Sequence, residues 1–185
     1  MGKHFYPGAV ILALAFSLLA LLTSSVIAAK HDLIGKQAPE FTQLSQSDWL
    51  NSEPLKLAQL KGTVVLIDFW TFGCWNCYNS FPWLKSLEEK YAGRPFNIVG
   101  VHSPEFDHEK DRDKLVEKIS EFDLRHPIMV DNDFKFWRAM HNRYWPSFYV
   151  IDKKGVLRGF YAVETQQGDS QSRRIGNLIG RLLKE

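Results

Sequence analysis

The feature that most constrains the fold is the run TVVLIDFW at residues 63–70. It is apolar and rich in β-branched residues throughout, except at Asp68. A strand with one face in water alternates between apolar and polar residues, whereas a strand covered on both faces shows a continuous apolar run. The pattern therefore predicts a central strand with other elements packed on both sides of its sheet.

Strand-like and helix-like segments alternate along the rest of the chain. The short run KKG separates two strand-like segments and predicts an antiparallel hairpin. This order predicts an α/β sandwich with a mixed central sheet flanked by helices. The charged residues of the helix predicted at 107–124 are expected to face solvent. The predicted elements after the central strand are a helix at 76–91 that contains Pro82, a buried strand at 96–102, a charged helix at 107–124, a short strand at 127–130, a short helix at 133–141, the hairpin strands at 147–152 and 156–162, and a helix from Ser170 onward.

The N-terminal segment has the pattern of an export sequence. Lys3 precedes an apolar run from Ala9 to Ala29 that ends in small residues. This pattern fits a cleaved signal peptide, and about 20 apolar residues also suffice for a membrane-spanning anchor. We therefore interpret residues 1–29 as a signal peptide or an N-terminal membrane anchor. Either one would place residues 30–185, enough for one domain, in a periplasmic or other extracytoplasmic location.

The charges argue against a nucleic-acid partner. The chain carries 23 Lys and Arg residues against 21 Asp and Glu residues. This near balance gives no electrostatic reason to expect binding to nucleic acid or to an anionic membrane surface.

The chain contains two cysteines, Cys74 and Cys77. A disulfide between residues so close in sequence stabilises a fold by only about 2 kcal/mol, against about 3 kcal/mol for a loop of fifteen residues. As a structural crosslink, the pair is poorly placed. Redox chemistry, metal binding or two inert thiols remain as explanations, and a C-x-x-C pair between a strand and a helix favours redox chemistry.

The predicted start of a helix next to the pair suggests a role for each cysteine. The free N–H groups and the dipole at a helix N-terminus stabilise a thiolate. Cys74 lies nearer the exposed tip and is the expected nucleophile. Cys77 lies one turn further on, where it can attack a mixed disulfide and release the product.

Asp68 is the one ionisable residue in the apolar central strand. Burial of a carboxyl group raises its pKa, and such a group can accept the proton of a thiol that is about to attack. We therefore predict that Asp68 is a catalytic proton acceptor. The alternative is that Asp68 lies at a solvated end of the strand.

These motifs resemble a known family. DFWTFGCWNC is similar to the active-site segment of the thioredoxin superfamily, and GKQAPEFTQL and YWPSFYVIDKKGVL are similar to its exported TlpA/ResA type. WTFGCWNC and GVHSPEF resemble most the thioredoxin domain of DipZ-like thiol-disulfide interchange proteins. The resemblance implies a thioredoxin-like three-layer sandwich. It also implies attacking and resolving roles for Cys74 and Cys77, a proton relay at Asp68, a helix-kinking Pro82 and a cis-proline at Pro146 that faces the disulfide.

Two positions depart from the thioredoxin pattern. Trp75 and Asn76 replace the Gly-Pro dipeptide between the cysteines, and Trp145 precedes the predicted cis-proline. Both positions tune the reduction potential and the fit of substrates in the superfamily. We predict that Trp75, Trp145 and Pro146 form an apolar groove for a protein substrate.

The function predicted from these residues is that of an exported thiol-disulfide oxidoreductase acting on protein thiols and disulfides. Reduction is the preferred direction, by resemblance to cytochrome-c-maturation reductases. This chain has no second cysteine pair to pass electrons on. A partner, which we expect to be a membrane redox protein, must therefore recharge it. No cofactor and no metal site are predicted.

Two alternatives remain open at this level. A peroxiredoxin-like peroxidase would use the T-x-x-C arrangement of Thr71 and Cys74, with Arg143 as a candidate guanidinium, although Ile67 stands where such enzymes have a proline. A copper-binding assembly protein would suit paired thiolates, but such proteins typically have one more residue between the cysteines. His102, His108, His126 and His141 show no ligand-like spacing, and we expect surface or structural roles for them.

Overall fold

The computed structural model describes residues 31–185. The predicted signal peptide or anchor at residues 1–29 lies outside the described residues. Within residues 31–185, no helix is both long and apolar enough to span a bilayer. The strands are β1 (Trp49–Leu50), β2 (Val64–Trp70), β3 (Phe96–His102), β4 (Ile128–Val130), β5 (Ser147–Ile151) and β6 (Leu157–Tyr161), and the helices are α1 (Trp75–Lys90), α2 (Arg112–Glu121), α3 (Lys135–Ala139) and α4 (Ser170–Leu182).

The strands form one mixed sheet in the order β1-β4-β3-β2-β5-β6. β2, β3 and β4 are parallel to one another and are joined by crossovers through α1 and α2, as parallel neighbours require. β5 pairs antiparallel with β2 on its other side, and β6 pairs antiparallel with β5. β2 therefore lies in the middle of the sheet, and all seven of its residues are buried. The predicted central strand and the mixed sheet are both confirmed.

Two apolar cores lie on opposite faces of the sheet. Alternate residues of β2 point to each face, so both cores include side chains of this strand. One core joins the sheet to α1, α2 and α4, through residues that include Leu66, Trp70, Leu84, Leu87, Leu115, Ile119, Ile175 and Ile179. The other joins it to α3 and the N-terminal segment, through residues that include Phe41, Trp49, Ile67, Phe69, Val99, Phe136, Met140 and Tyr149.

The sequence prediction was wrong in two places. The predicted helix at 107–124 consists of a 3-10 turn at Asp107–Lys110 and the separate helix α2. Asp111 divides them because its extended backbone and its carboxylate cap the N-terminus of α2, accepting hydrogen bonds from two backbone N–H groups. The polar run SQSDWLNSEP at 45–54 predicts a loop, but it contains the edge strand β1, whose pairing with the distant β4 has no local signature.

Candidate active site

The cysteine pair lies where β2 gives way to α1. Cys74 is the N-cap residue of α1, and its Sγ accepts a hydrogen bond from the Cys77 backbone N–H at 3.2 Å. The two cysteines form a disulfide bond. Cys74 is 9 % exposed and Cys77 is completely buried. The more accessible cysteine is thus the one at the helix tip, where free N–H groups favour a thiolate.

Glu109 fixes the turn that leads into Cys74. Its side chain is fully buried, and Oε1 accepts a hydrogen bond from the Gly73 backbone N–H at 2.7 Å. Its other carboxylate oxygen accepts hydrogen bonds from the backbone N–H groups of Glu105 and Phe106. One carboxylate thus ties the loop after β3 to the residue before Cys74.

Glu109 was missed in the sequence analysis, where it falls within a charge run expected to face solvent. Gly73 is the sequence feature on which this contact with Glu109 depends. A Cβ atom on this residue would lie 2.1 Å from Glu109 Oε1, so the close approach of the carboxylate requires glycine there.

An open groove runs past Cys74. Its walls include Trp75, Arg143 and Trp145, and its volume is about 440 Å³. Trp75 is 72 % exposed, so its indole is available to a partner rather than packed in the core. Trp75 and Trp145 thus lie on the same groove as Cys74, whereas Pro146 is not among the residues that line it.

Trp145 is held in place from two sides. Its indole N–H donates to the Ser103 carbonyl at 3.0 Å, and its ring packs on Trp137 with centroids 4.3 Å apart. The Trp145–Pro146 peptide bond is cis, as predicted, and Pro146 is buried. Trp137 has no signal in the local sequence, since its contact with Trp145 depends on the position of α3.

Asp68 lies inside the protein rather than at a solvated strand end. It is 1 % exposed, and its position between Leu66 and Trp70 in β2 directs its side chain to the core that contains Cys77. Its Oδ2 has no hydrogen-bond partner among residues 31–185. Burial raises the pKa of Asp68 to about 8. The carboxyl group therefore carries a proton over most of the neutral range and can exchange it near pH 8.

In the described part of the chain, His102, His126 and His141 each have a different polar partner. His102 is fully buried, its Nε2 lies 3.3 Å from Thr71 Oγ1, and its ring stacks on Phe72. Burial lowers the pKa of His102 to about 3, which keeps it neutral. His126 contacts Glu88 and His141 contacts Asp32. In the described part of the chain, no group of three or more His, Cys, Asp or Glu residues could hold a metal ion.

Comparisons with known proteins agree with this geometry. A family model described as the AhpC/TSA family matches residues 34–160. The chain is 33 % identical over 147 residues to the thiol-disulfide oxidoreductase YkuV of Bacillus subtilis, which covers 80 % of this chain and 94 % of YkuV. The solution structure of a thioredoxin-like protein in the oxidized form superposes with a TM-score of 0.66 at 33 % identity, covering 80 % of this chain and 96 % of that one.

Two further relatives are much longer proteins. The chain is 42 % identical over 143 residues to Protein SUPPRESSOR OF QUENCHING 1, chloroplastic, of Arabidopsis thaliana, covering 75 % of this chain and 13 % of the relative. It is 36 % identical over 113 residues to Protein DipZ of Mycobacterium tuberculosis, covering 60 % of this chain and 16 % of DipZ. The chain thus spans less than a fifth of the length of these two relatives.

Proposed function

The chain belongs to the AhpC/TSA family and has a thioredoxin-like fold, and from this premise we propose that it is a thiol-disulfide oxidoreductase acting on protein substrates. The observation that carries the proposal is the Cys74–Cys77 disulfide at the N-terminus of α1, with Cys74 on an open groove and Cys77 buried behind it. This arrangement separates an attacking sulfur from a resolving one. It is the arrangement that a two-step disulfide exchange requires.

Reduction of a substrate disulfide begins at Cys74. In the reduced enzyme, the Cys74 thiolate attacks one sulfur of the substrate disulfide, forms a mixed disulfide and expels the other sulfur as a thiolate. The helix N-terminus favours the attacking thiolate. Trp75 and Trp145 flank the attack position and offer apolar surface to the polypeptide around the substrate cysteine.

Resolution then falls to Cys77 and Asp68. The Cys77 thiol gives its proton to the ionised fraction of Asp68, which grows as pH rises toward 8, and the resulting thiolate attacks Cys74 Sγ. The Cys74–Cys77 disulfide forms, and the second substrate sulfur leaves as a thiolate. In total, two electrons pass from the enzyme dithiol to the substrate disulfide. The raised pKa of Asp68 supports this role, because a carboxyl group titrating near pH 8 is well matched to a thiol.

The direction, the location and the recharging partner are parts of the same proposal. We expect the protein to act as a reductant on the outer side of a membrane, to which residues 1–29 would deliver it. The apolar run from Ala9 to Ala29 supports this location. A membrane redox protein would return the disulfide to the dithiol. A Cys74–Cys77 reduction potential well below that of the surrounding compartment would support the reducing direction.

A peroxidase on the same fold is the second candidate. In its favour, Arg143 lies on the groove beside Cys74, where a guanidinium could stabilise a peroxide. Against it, Thr71 is fully buried and its hydroxyl contacts His102. The copper-binding alternative gains no third ligand near the two cysteines in the described residues.

A direct turnover assay distinguishes the two candidate enzymatic functions. The full chain, kept reduced by dithiothreitol, is given either a protein disulfide such as insulin or hydrogen peroxide. We expect the wild-type protein to reduce insulin and to consume hydrogen peroxide only slowly. Insulin reduction should be lost in both Cys74→Ser and Cys77→Ser. Rapid peroxide turnover that also requires Arg143, without insulin reduction, would contradict the proposed function.

A further inference from the structure

Two buried polar atoms lie close to one glycine in the middle of the sheet, and a buried carboxyl group belongs to the residue paired with it. Gly100 in β3 lies opposite Asp68 in the parallel ladder with β2. A Cβ atom on Gly100 would lie 3.1 Å from Trp70 Nε1 and 3.2 Å from His126 Nε2. Paired residues of neighbouring strands lie about 5 Å apart, and their side chains share one face in a parallel ladder. The Asp68 carboxyl group therefore borders the same space.

None of these atoms is satisfied by the protein. Asp68 Oδ2, Trp70 Nε1 and His126 Nε2 are all buried and have no hydrogen-bond partner within the described residues. A buried polar group without a partner costs roughly 1–3 kcal/mol, and proteins usually satisfy such groups with other residues or with buried water. Three such atoms around one small space indicate a shared polar ligand.

We propose that the space over Gly100 binds one water molecule, which connects Asp68 through His126 and Glu88 to the protein surface. The donors and acceptors balance. His126 Nδ1 lies 3.3 Å from Glu88 Oε1, so a neutral ring with its proton on Nδ1 donates to Glu88 and leaves Nε2 as an acceptor. The water accepts from the Trp70 indole N–H and donates to Asp68 Oδ2 and His126 Nε2.

The outer end of this connection reaches solvent. The His126 side chain is 3 % exposed, whereas that of Glu88 is 29 % exposed. Both residues line a surface cavity of about 310 Å³. A proton can thus pass between the interior and bulk water without any large movement of the backbone.

The inference rests on the proposed function, because it concerns the proton that Asp68 takes from Cys77. That proton passes from Asp68 to the water, while the water gives one of its own protons to His126 Nε2. The Nδ1 proton passes to Glu88 and from there to solvent, so one proton leaves. His126 then carries its proton on Nε2 and must return to the Nδ1 tautomer before the next turnover. Among the described residues, Cys74, Cys77, Tyr78, Tyr91 and Tyr161 also border this core face. His102 lies there too and stays neutral because burial lowers its pKa to about 3.

A single-turnover experiment on the full chain tests the connection. The reduced protein is mixed with an aromatic disulfide that releases one coloured thiolate when Cys74 attacks and a second when Cys77 resolves the mixed disulfide. We expect Glu88→Gln and His126→Ala to slow the second release by roughly tenfold or more, as loss of a proton-transfer group does. The first release should keep its rate. Imidazole added to His126→Ala should restore the second release, which a purely structural role of His126 would not allow.

Glu89→Gln provides the matched control, because Glu89 is the exposed neighbour of Glu88 and does not contact His126. Its second release should proceed at the wild-type rate. An unchanged second release in Glu88→Gln and His126→Ala, an equal loss in Glu89→Gln, or a loss that imidazole does not restore would overturn the proposed connection. Absence of the first release from the wild type would instead contradict the proposed function.

A high-resolution crystal structure tests the water itself. We expect one ordered water within hydrogen-bonding distance of Asp68 Oδ2, Trp70 Nε1 and His126 Nε2. A dry space over Gly100, or direct pairing among the three side chains, would overturn the proposal.

Discussion

At the scale of single residues, the proposed proton exchange at Asp68 comes at a cost to the stability of the folded protein. An ionised carboxylate inside an apolar core is costly, and this one has an oxygen without a hydrogen-bond partner among residues 31–185. The protein keeps the group neutral over most of the neutral range by raising its pKa to about 8. The same group that is proposed to accept the Cys77 proton is therefore expected to weaken the fold as it ionises.

This conflict predicts how Asp68→Asn changes stability with pH. The pKa of an unfolded aspartate is about 3.9, so between about pH 4 and pH 8 the folded state keeps a proton that the unfolded state releases. The wild-type free energy of unfolding should therefore fall as pH rises through this window, with a slope of up to about 1.4 kcal/mol per pH unit. Asparagine does not titrate, so Asp68→Asn should be the more stable protein near pH 8. Its advantage should shrink toward pH 4. Urea unfolding of the disulfide form across this range measures the difference.

Asp152→Asn is the control with the opposite sign. Partial burial raises the pKa of Asp152, but hydrogen bonds from the Val156 N–H and from Arg158 outweigh burial and hold that pKa below its usual range. The stability from Asp152 is therefore present above its unfolded pKa and is lost as pH falls, so Asp152→Asn should weaken the fold at neutral pH. An Asp68→Asn advantage that stays constant with pH would contradict the burial of an ionisable group at this position.

At the scale of elements, the turn between β2 and α1 depends on one close contact. Gly73 is limited to glycine by the Glu109 carboxylate, since a Cβ atom would lie 2.1 Å from Oε1. We expect Gly73→Ala to break the hydrogen bond between Gly73 and Glu109, lower the free energy of unfolding by about 1–3 kcal/mol and slow the attack of Cys74. Thermal unfolding and the rate of the first thiolate release measure these two effects.

Gly176→Ala in α4 is the matched control for that substitution. Apart from its chain neighbours and its own helix backbone, no atom of the described residues lies within 4 Å of a Cβ atom at this position. Replacing a glycine inside a helix by alanine should raise the free energy of unfolding by about 0.5–1 kcal/mol without changing the rate of attack. If both variants behave alike, the contact with Glu109 does not shape the turn.

The N-terminus of α1 should make the two cysteines chemically unequal. No Lys, Arg or His occurs between Asp68 and Phe81, so the helix end and its N–H groups are the local cause of a lowered Cys74 pKa. We expect limiting alkylating reagent to label Cys74 of the reduced protein before Cys77. Peptide mass spectrometry over a series of pH values identifies the labelled residue. Preferential labelling of the buried Cys77 would contradict this order.

The elements that the sequence predicted well are those with local signatures. The apolar run at 63–70 and the helical spacing at 76–91 correspond to β2 and α1 within one residue at each end. Glu109 and His126 could not be assigned in the same way, because their contacts join residues 36 and 38 positions apart, respectively. The space over Gly100 follows from the register of β2 and β3, which no local pattern specifies.

At the scale of the whole molecule, the chain contains one cysteine pair, and under the proposed function it depends on other proteins for its electrons. Its two cysteines form a single pair, and the accessible one lies on the groove. Each round of substrate reduction would leave the pair oxidised until an external dithiol restores it. The proposed mechanism therefore requires that Cys74 forms the covalent bond to a protein partner and that Cys77 releases it.

Covalent trapping measures this claim most directly. Reduced Cys77→Ser and Cys74→Ser variants of the full chain are each mixed with insulin, and adducts are resolved with and without dithiothreitol. We expect a dithiothreitol-sensitive adduct through Cys74 in Cys77→Ser. Cys74→Ser should form little or no adduct, because its remaining cysteine is buried. An adduct formed by Cys74→Ser alone would reverse the two roles, and no adduct with either variant would contradict disulfide exchange at this pair.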